Sequence, residues 1–158
     1  MTSKIKNEPS MSECELKDIM TNPLYHSTME DGFLRIRITH KCNSKCRFCE
    51  RETRDDKWKN ATQKHEVLYD YCKPLYTQIK TLLLTGGDPL CIDESFTFCK
   101  YICTNYPHIN LMLETNGIAF TKKWQELAAD NLIRVHISLN ASNEETFFKD
   151  AGVVTKEE

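Results

Sequence analysis

Strand-like and helix-like patterns alternate four times along this chain, and that alternation limits the fold more than any other feature of the sequence. Residues 33–38 (Phe-Leu-Arg-Ile-Arg-Ile) alternate apolar and polar side chains, as a strand with one buried face does. Residues 79–85 form a compact apolar run that ends in Gly-Gly, suited to a strand buried on both sides. Residues 109–115 and 132–139 repeat the strand pattern. Between them, residues 65–76 carry a helical stripe at Val67, Leu68, Tyr71, Cys72 and Leu75, which Pro74 should end or kink. Asp93 is the expected cap of a helix over 93–106, with Phe96, Phe98, Cys99, Ile102 and Cys103 turned inward. Thr121 should cap a helix over 121–130 that buries Trp124, Leu127 and Ala128. Residues 142–149 open with Ser-Asn-Glu-Glu, a capping-box pattern. Such units predict an α/β fold with a parallel sheet and right-handed crossovers. Ligands of such sheets bind beyond the carboxyl ends of the strands.

Directly after the first strand stand Cys42, Cys46 and Cys49. The N-terminus is polar, without the apolar core of a signal peptide, so the eight cysteines are read in a reducing cytoplasm, where clustered thiols are metal ligands. Three thiolates in one short loop converge only when the loop wraps around something. A cubane cluster on three cysteines leaves one iron open; structural zinc with His40 or His65 as fourth ligand is the alternative. Cys14, Cys72, Cys91, Cys99 and Cys103 read as small buried hydrophobes, although Cys99 and Cys103 share a helix face that could hold a further metal. The formal net charge of -2, with mixed signs, offers no field for nucleic acid, and no apolar run is long enough to cross a bilayer.

Polar or glycine-rich segments close the other strands as well. Of only five glycines, Gly86, Gly87 and Gly117 follow apolar strands directly. Gly86-Gly87-Asp88-Pro89 lets the backbone approach a ligand closely, with a carboxylate beside it. Glu114-Thr115-Asn116-Gly117 closes the third strand, and Ser138 and Asn140, at period two, close the fourth. His136 reads as a packed core histidine whose side could also face a barrel interior. Residues 51–59 read as a solvated charged insertion and a candidate lid anchored by Trp58.

Cys42-x3-Cys46-x2-Cys49 after a strand, with Phe48 before the third cysteine, resembles the signature of the radical S-adenosylmethionine (radical SAM) superfamily. Leu84-Thr85-Gly86-Gly87-Asp88-Pro89-Leu90 is similar to that family's Gly-Gly-Glu-Pro segment, with Asp88 for the usual Glu. Glu114-Thr115-Asn116-Gly117 and Ile137-Ser138-Leu139-Asn140 are similar to its third- and fourth-strand motifs. The resemblance covers residues 33–145 and implies a partial (β/α) barrel with four strand–helix units. It implies a 4Fe–4S cluster on Cys42, Cys46 and Cys49, with the methionine moiety of S-adenosylmethionine chelating the fourth iron. Gly86, Gly87 and Asp88 would hold the methionine amino group, the Phe48 backbone would meet the adenine, and Glu114, Ser138 and Asn140 would approach the ribose or carboxylate. The implied activity is reductive cleavage of S-adenosylmethionine to a 5′-deoxyadenosyl radical, which abstracts a hydrogen from a small-molecule or peptide substrate. A flavodoxin- or ferredoxin-like electron donor is implied with it. A non-catalytic zinc- or cluster-binding module, or a peptide-modifying or activating enzyme, are the alternatives. The expected organisation is an arm over 1–28, with at most a short helix near 14–20, and a core domain over 29–158. That core is expected to be incomplete at its C-terminus, because the resemblance implies about six units, so the fourth strand should present an unpaired edge.

Overall fold

In the computed structural model, which describes residues 28–53, 59–130 and 132–151, one five-stranded sheet carries its strands in chain order. β1 (Thr28–Glu30) runs antiparallel to β2 (Phe33–Thr39). β3 (Thr81–Gly86), β4 (Asn110–Thr115) and β5 (Arg134–Ile137) follow as parallel neighbours. The helices α1 (His65–Cys72), α2 (Asp93–Asn105), α3 (Lys122–Ala129) and α4 (Glu144–Ala151) each follow one parallel strand. Each strand lies beside the next one in sequence. That is the order of a barrel wall, not of a doubly wound sheet, whose strand order reverses. The four expected strand–helix units are therefore present, as a partial (β/α) barrel.

Period two splits the sheet into two faces. Leu34, Ile36 and Ile38 of β2, Leu82 and Leu84 of β3, and Leu111 and Leu113 of β4 are buried on the helix side. There they join Leu68, Phe98, Ile102, Trp124 and Leu127 from the helices in one core, each such side chain stabilising the fold by roughly 1.5–3 kcal/mol. Cys72 and Cys99 are fully buried in that core, as small hydrophobes. The opposite face carries Arg35, Arg37, Leu83, Met112 and Glu114, all half-buried. β3 is thus covered on one face only; its other face opens into the cavity described below, contrary to the two-sided burial expected from its apolar run.

Several ends differ from expectation for local reasons. β1 takes in Thr28, which the sequence reading placed in the arm. It joins β2 through Asp31 and Gly32, both at positive φ (50° and 83°), the backbone that a two-residue hairpin requires. α1 stops at Cys72, ahead of Pro74 as expected. Asp93 is the first helical residue of α2, preceded by Ile92, and its carboxylate pairs with Lys123 of α3. Thr121 stands at the N-cap of α3 but makes no side-chain capping bond. At α4 the cap is Asn143, not Ser142: Asn143 Oδ1 accepts from Thr146 N at 2.9 Å. His136 is exposed rather than packed in a core, because β5 ends the sheet and its inner side meets solvent. The short helix near 14–20 and Trp58 lie outside the described residues.

Candidate metal and cofactor site

The cysteine loop grows out of β2 and is held by main chain on two sides. On one side His40 N donates to Ala61 O (2.7 Å) and Thr39 Oγ1 meets Thr62 Oγ1 (2.7 Å). On the other, Gly87 N donates to Thr39 O (2.6 Å) and Asp88 N to Lys41 O (2.8 Å). A Cβ on Gly86 would stand 2.1 Å from Thr39 O, and one on Gly87 2.3 Å from Lys41 O. Gly86 also sits at φ +138°, which side chains other than hydrogen resist. The close approach that these glycines allow is therefore, first of all, that of the cysteine loop's own backbone.

A cavity of about 340 Å³ opens at this carboxyl end of the sheet. Every site residue expected from the sequence lines it except Asp88: Cys42, Cys46 and Cys49, then Phe48, Gly86 and Gly87, then Glu114, Ser138 and Asn140. Phe48 is 59% exposed at the rim. Asp88 lies behind the wall, fully buried. Its carboxylate accepts from Leu90 N (2.9 Å), Thr115 Oγ1 (2.9 and 2.8 Å) and Asn116 N (2.9 Å). Burial pushes this carboxyl up, and those hydrogen bonds from Asn116, Thr115 and Leu90 pull the other way. In this geometry Asp88 joins the ends of β3 and β4 rather than facing the cavity.

Sequence reasoning missed the charged lining. Arg35 and Arg37 share the inner face of β2; Arg35 pairs with Glu114 (3.1 Å), which also accepts from Thr85 Oγ1 (2.7 Å), and Arg37 pairs with Glu50 (3.0 Å). The alternation of residues 33–38 carried this signal, since it puts both arginines opposite the buried leucine and isoleucines. Arg51, read as part of a solvated insertion, instead donates from Nε to His40 O (2.6 Å) and lines the cavity. Asn116 was missed as well. Its Nδ2 reaches Asn43 Oδ1 (2.8 Å), Ser44 Oγ (3.1 Å) and Cys42 Sγ (3.7 Å).

The donor chemistry fits an iron–sulfur cluster. All three cysteines line one cavity, and Cys42 Sγ faces two N–H donors, Ser44 N (3.4 Å) and Asn116 Nδ2, the kind of contact that thiolate ligands of such clusters accept. Burial, opposed by the Ser44 N–H, pushes the Cys42 thiol up to about 11, so at neutral pH the metal-free thiol keeps a proton that ligation must displace. His65, one proposed fourth ligand for zinc, instead meets Glu66 (3.1 Å) and the Tyr69 ring. Among the described residues no three His, Cys, Asp or Glu side chains form a single-ion site. Cys91 lies against the Asn43 N–H, and Cys103 Sγ contacts Leu132 O (3.3 Å). Cys14 lies outside the described residues. No helix among them is long and apolar enough to cross a membrane.

A parallel barrel wall with three cysteines in the loop after its first parallel strand is the class of structure in hand, and comparison with known proteins makes it specific. Residues 36–157 match the model of the Radical SAM superfamily, and the chain belongs to that superfamily. Among curated relatives, a GTP 3′,8-cyclase of Aliarcobacter butzleri (strain RM4018) is 33% identical over 122 residues, which are 75% of this chain and 38% of that enzyme. A GTP 3′,8-cyclase of Clostridium perfringens (strain SM101 / Type A) is 35% identical over 121 residues, 75% of this chain and 37% of that enzyme. The matched segment thus spans well under half the length of these relatives. Two crystal structures of Streptococcus suis SuiB share the fold. The one bound to the precursor peptide SuiA has a TM-score of 0.63 at 18% identity, covering 97% of this chain and 36% of SuiB. The one bound to S-adenosylmethionine has a TM-score of 0.60 at 17% identity, covering 96% and 35%.

Proposed function

We propose that this chain is the cluster-binding part of a radical SAM enzyme, with a 4Fe–4S cluster on Cys42, Cys46 and Cys49. The observation that carries this reading is that the three cysteines, the Gly86-Gly87 turn and the polar residues at the end of β4 and beyond β5 all line one cavity. The cluster and S-adenosylmethionine together would supply reductive cleavage of the sulfonium and hydrogen abstraction from the substrate. The chain's own part is to bind, orient and shield. Backbone groups of Gly86 and Gly87 would receive the methionine amino group, and the Phe48 backbone would meet the adenine; all three residues line the cavity. Glu114, held by Arg35 and Thr85, and Ser138 and Asn140 beyond β5 offer hydrogen bonds to a ribose or carboxylate. An external one-electron donor of flavodoxin or ferredoxin type would meet the exposed Lys41 and Lys45 on the cysteine loop.

Anaerobic reconstitution with iron and sulfide tests the reading. The expected product is a brown protein with about four irons per chain, which releases 5′-deoxyadenosine when reduced in the presence of S-adenosylmethionine. Cys46→Ala should abolish the cluster, whereas Cys99→Ala should leave it, since Cys99 is buried in the core away from the cavity. A colourless protein holding zinc would overturn the proposal.

A further inference from the structure

We infer that Asn116 is a positioning residue for the cluster, fixing the Cys42 segment and donating an N–H to the Cys42 sulfur; this rests on the cluster assignment above. Two hydrogen bonds of its own and two of its neighbour Thr115 hold the asparagine. Asn116 N donates to the buried Asp88 carboxylate (2.9 Å), and Asn116 Oδ1 accepts from Ile118 N (2.9 Å). The preceding Thr115 donates its hydroxyl to the same carboxylate, and Thr115 Oγ1 accepts from Gly117 N (3.0 Å). With its backbone and carboxamide oxygen thus committed, the free direction of the side chain is its NH2 group. That group points across the cavity wall to Asn43 Oδ1, Ser44 Oγ and Cys42 Sγ, residues in the loop that follows a different strand. A neutral N–H aimed at a ligand sulfur stabilises the negative charge on that sulfur, and charge is what increases when a cluster gains an electron. Asn116 therefore acts in two ways. It holds one cysteine in a binding posture, and it makes the bound cluster easier to reduce. Asp88 acts through Asn116, by orienting its backbone.

Two variants separate the donated N–H from the local turn. In Asn116→Asp the side chain can still accept from Ile118 N, but an anionic oxygen replaces the NH2 facing Cys42. In Asn116→Ser the hydroxyl can also accept from Ile118 N, yet it is too short to span to the cysteine loop. Both are compared with wild type after anaerobic reconstitution. The readouts are iron retention against a chelator and the cluster midpoint potential from an EPR-monitored titration. Expected is a loss of iron affinity on the order of 10–100-fold in both variants, with midpoints more negative than wild type and the aspartate lowest. Wild-type retention and midpoint in Asn116→Ser would overturn the inference, even if Asn116→Asp were altered, because the new charge alone would then explain the effect. If neither variant folds by circular dichroism, wild-type protein carrying 15N only in asparagine side-chain amides decides. Pulsed EPR of the reduced cluster should then show a 15N coupling, and its absence overturns the inference. Failure of wild-type protein to take up a cluster at all would sink the functional reading instead, so the two failures are distinct.

Discussion

The base of the cysteine loop and the outer strand β5, whose following residues Ser138 and Asn140 reach the same cavity, are built by different means. At the base, main chain binds main chain: Thr39, Lys41, Gly87 and Asp88 exchange backbone hydrogen bonds, with no room for a Cβ on either glycine. β5 is a single strand, tied to β4 by its ladder and by Ser138 N to Thr115 O (2.8 Å). Arg134 and His136 are exposed there, as are Ile137 (57%) and Leu139 (77%). The loop base is thus held by its own backbone, while β5 has a single strand neighbour among the described residues. Preorganisation of this kind spares the protein an ordering cost at the moment of binding.

The sharpest way to break this contrast is Gly87→Val. Its Cβ would overlap the Lys41 carbonyl, a backbone atom that cannot swing aside, so a loss of about 3 kcal/mol is expected in urea unfolding, together with loss of cluster uptake. Retention of both would mean that the loop base yields. Asp88→Ala should come next, at about 2 kcal/mol, because it strands buried donors on Leu90, Thr115 and Asn116. A third, smaller effect is a slope with pH. Burial raises the Asp88 carboxyl above its ordinary value of 3.8, so the folded state holds this proton more tightly than the unfolded chain. The associated stability is fully present below that value and is lost as pH rises through the folded pKa. Denaturation curves at pH 4 and pH 7 should therefore show a difference that Asp88→Asn reduces; an unchanged difference assigns it to other groups. At β5, Ile137→Ser and Leu139→Ser should each change stability by less than about 0.5 kcal/mol. Light scattering should show less self-association in both, since they remove exposed apolar surface next to a strand edge. A large stability loss at either position would show that β5 is as firmly built as the loop base.

Much of this architecture was legible in the sequence because it rests on periodicity and local chemistry. The four parallel strands and four helices follow from spacing of apolar residues, and the cavity gathers nearly every residue that the strand-end rule singled out. What escaped depends on partners distant in sequence. Gly86 and Gly87 are visible as glycines, but the chain that crowds them lies across a strand pair. Asp88 reads from the sequence as a carboxylate beside a ligand, whereas its partners in the fold, Thr115 and Asn116, lie 27 and 28 positions away. β1 has just three residues, too few for a pattern, although Asp31-Gly32 ahead of Phe33 was a hairpin signal. Ser142 lost the capping role to its neighbour because both are good caps and helix ends shift by a residue or two.

The contact between Asn116 and Cys42 also orders events during synthesis. The two residues are 74 positions apart, and at ribosomal speed the asparagine follows the cysteine by on the order of several seconds. Through that interval the nascent cysteines precede the glycine turn, the buried aspartate and the asparagine that give their loop its shape. Iron delivered then would meet three thiols on an unshaped tether. On the proposed cluster assignment, productive loading follows the zipping of β3 and β4 onto β2, which completes the shape of the cysteine loop.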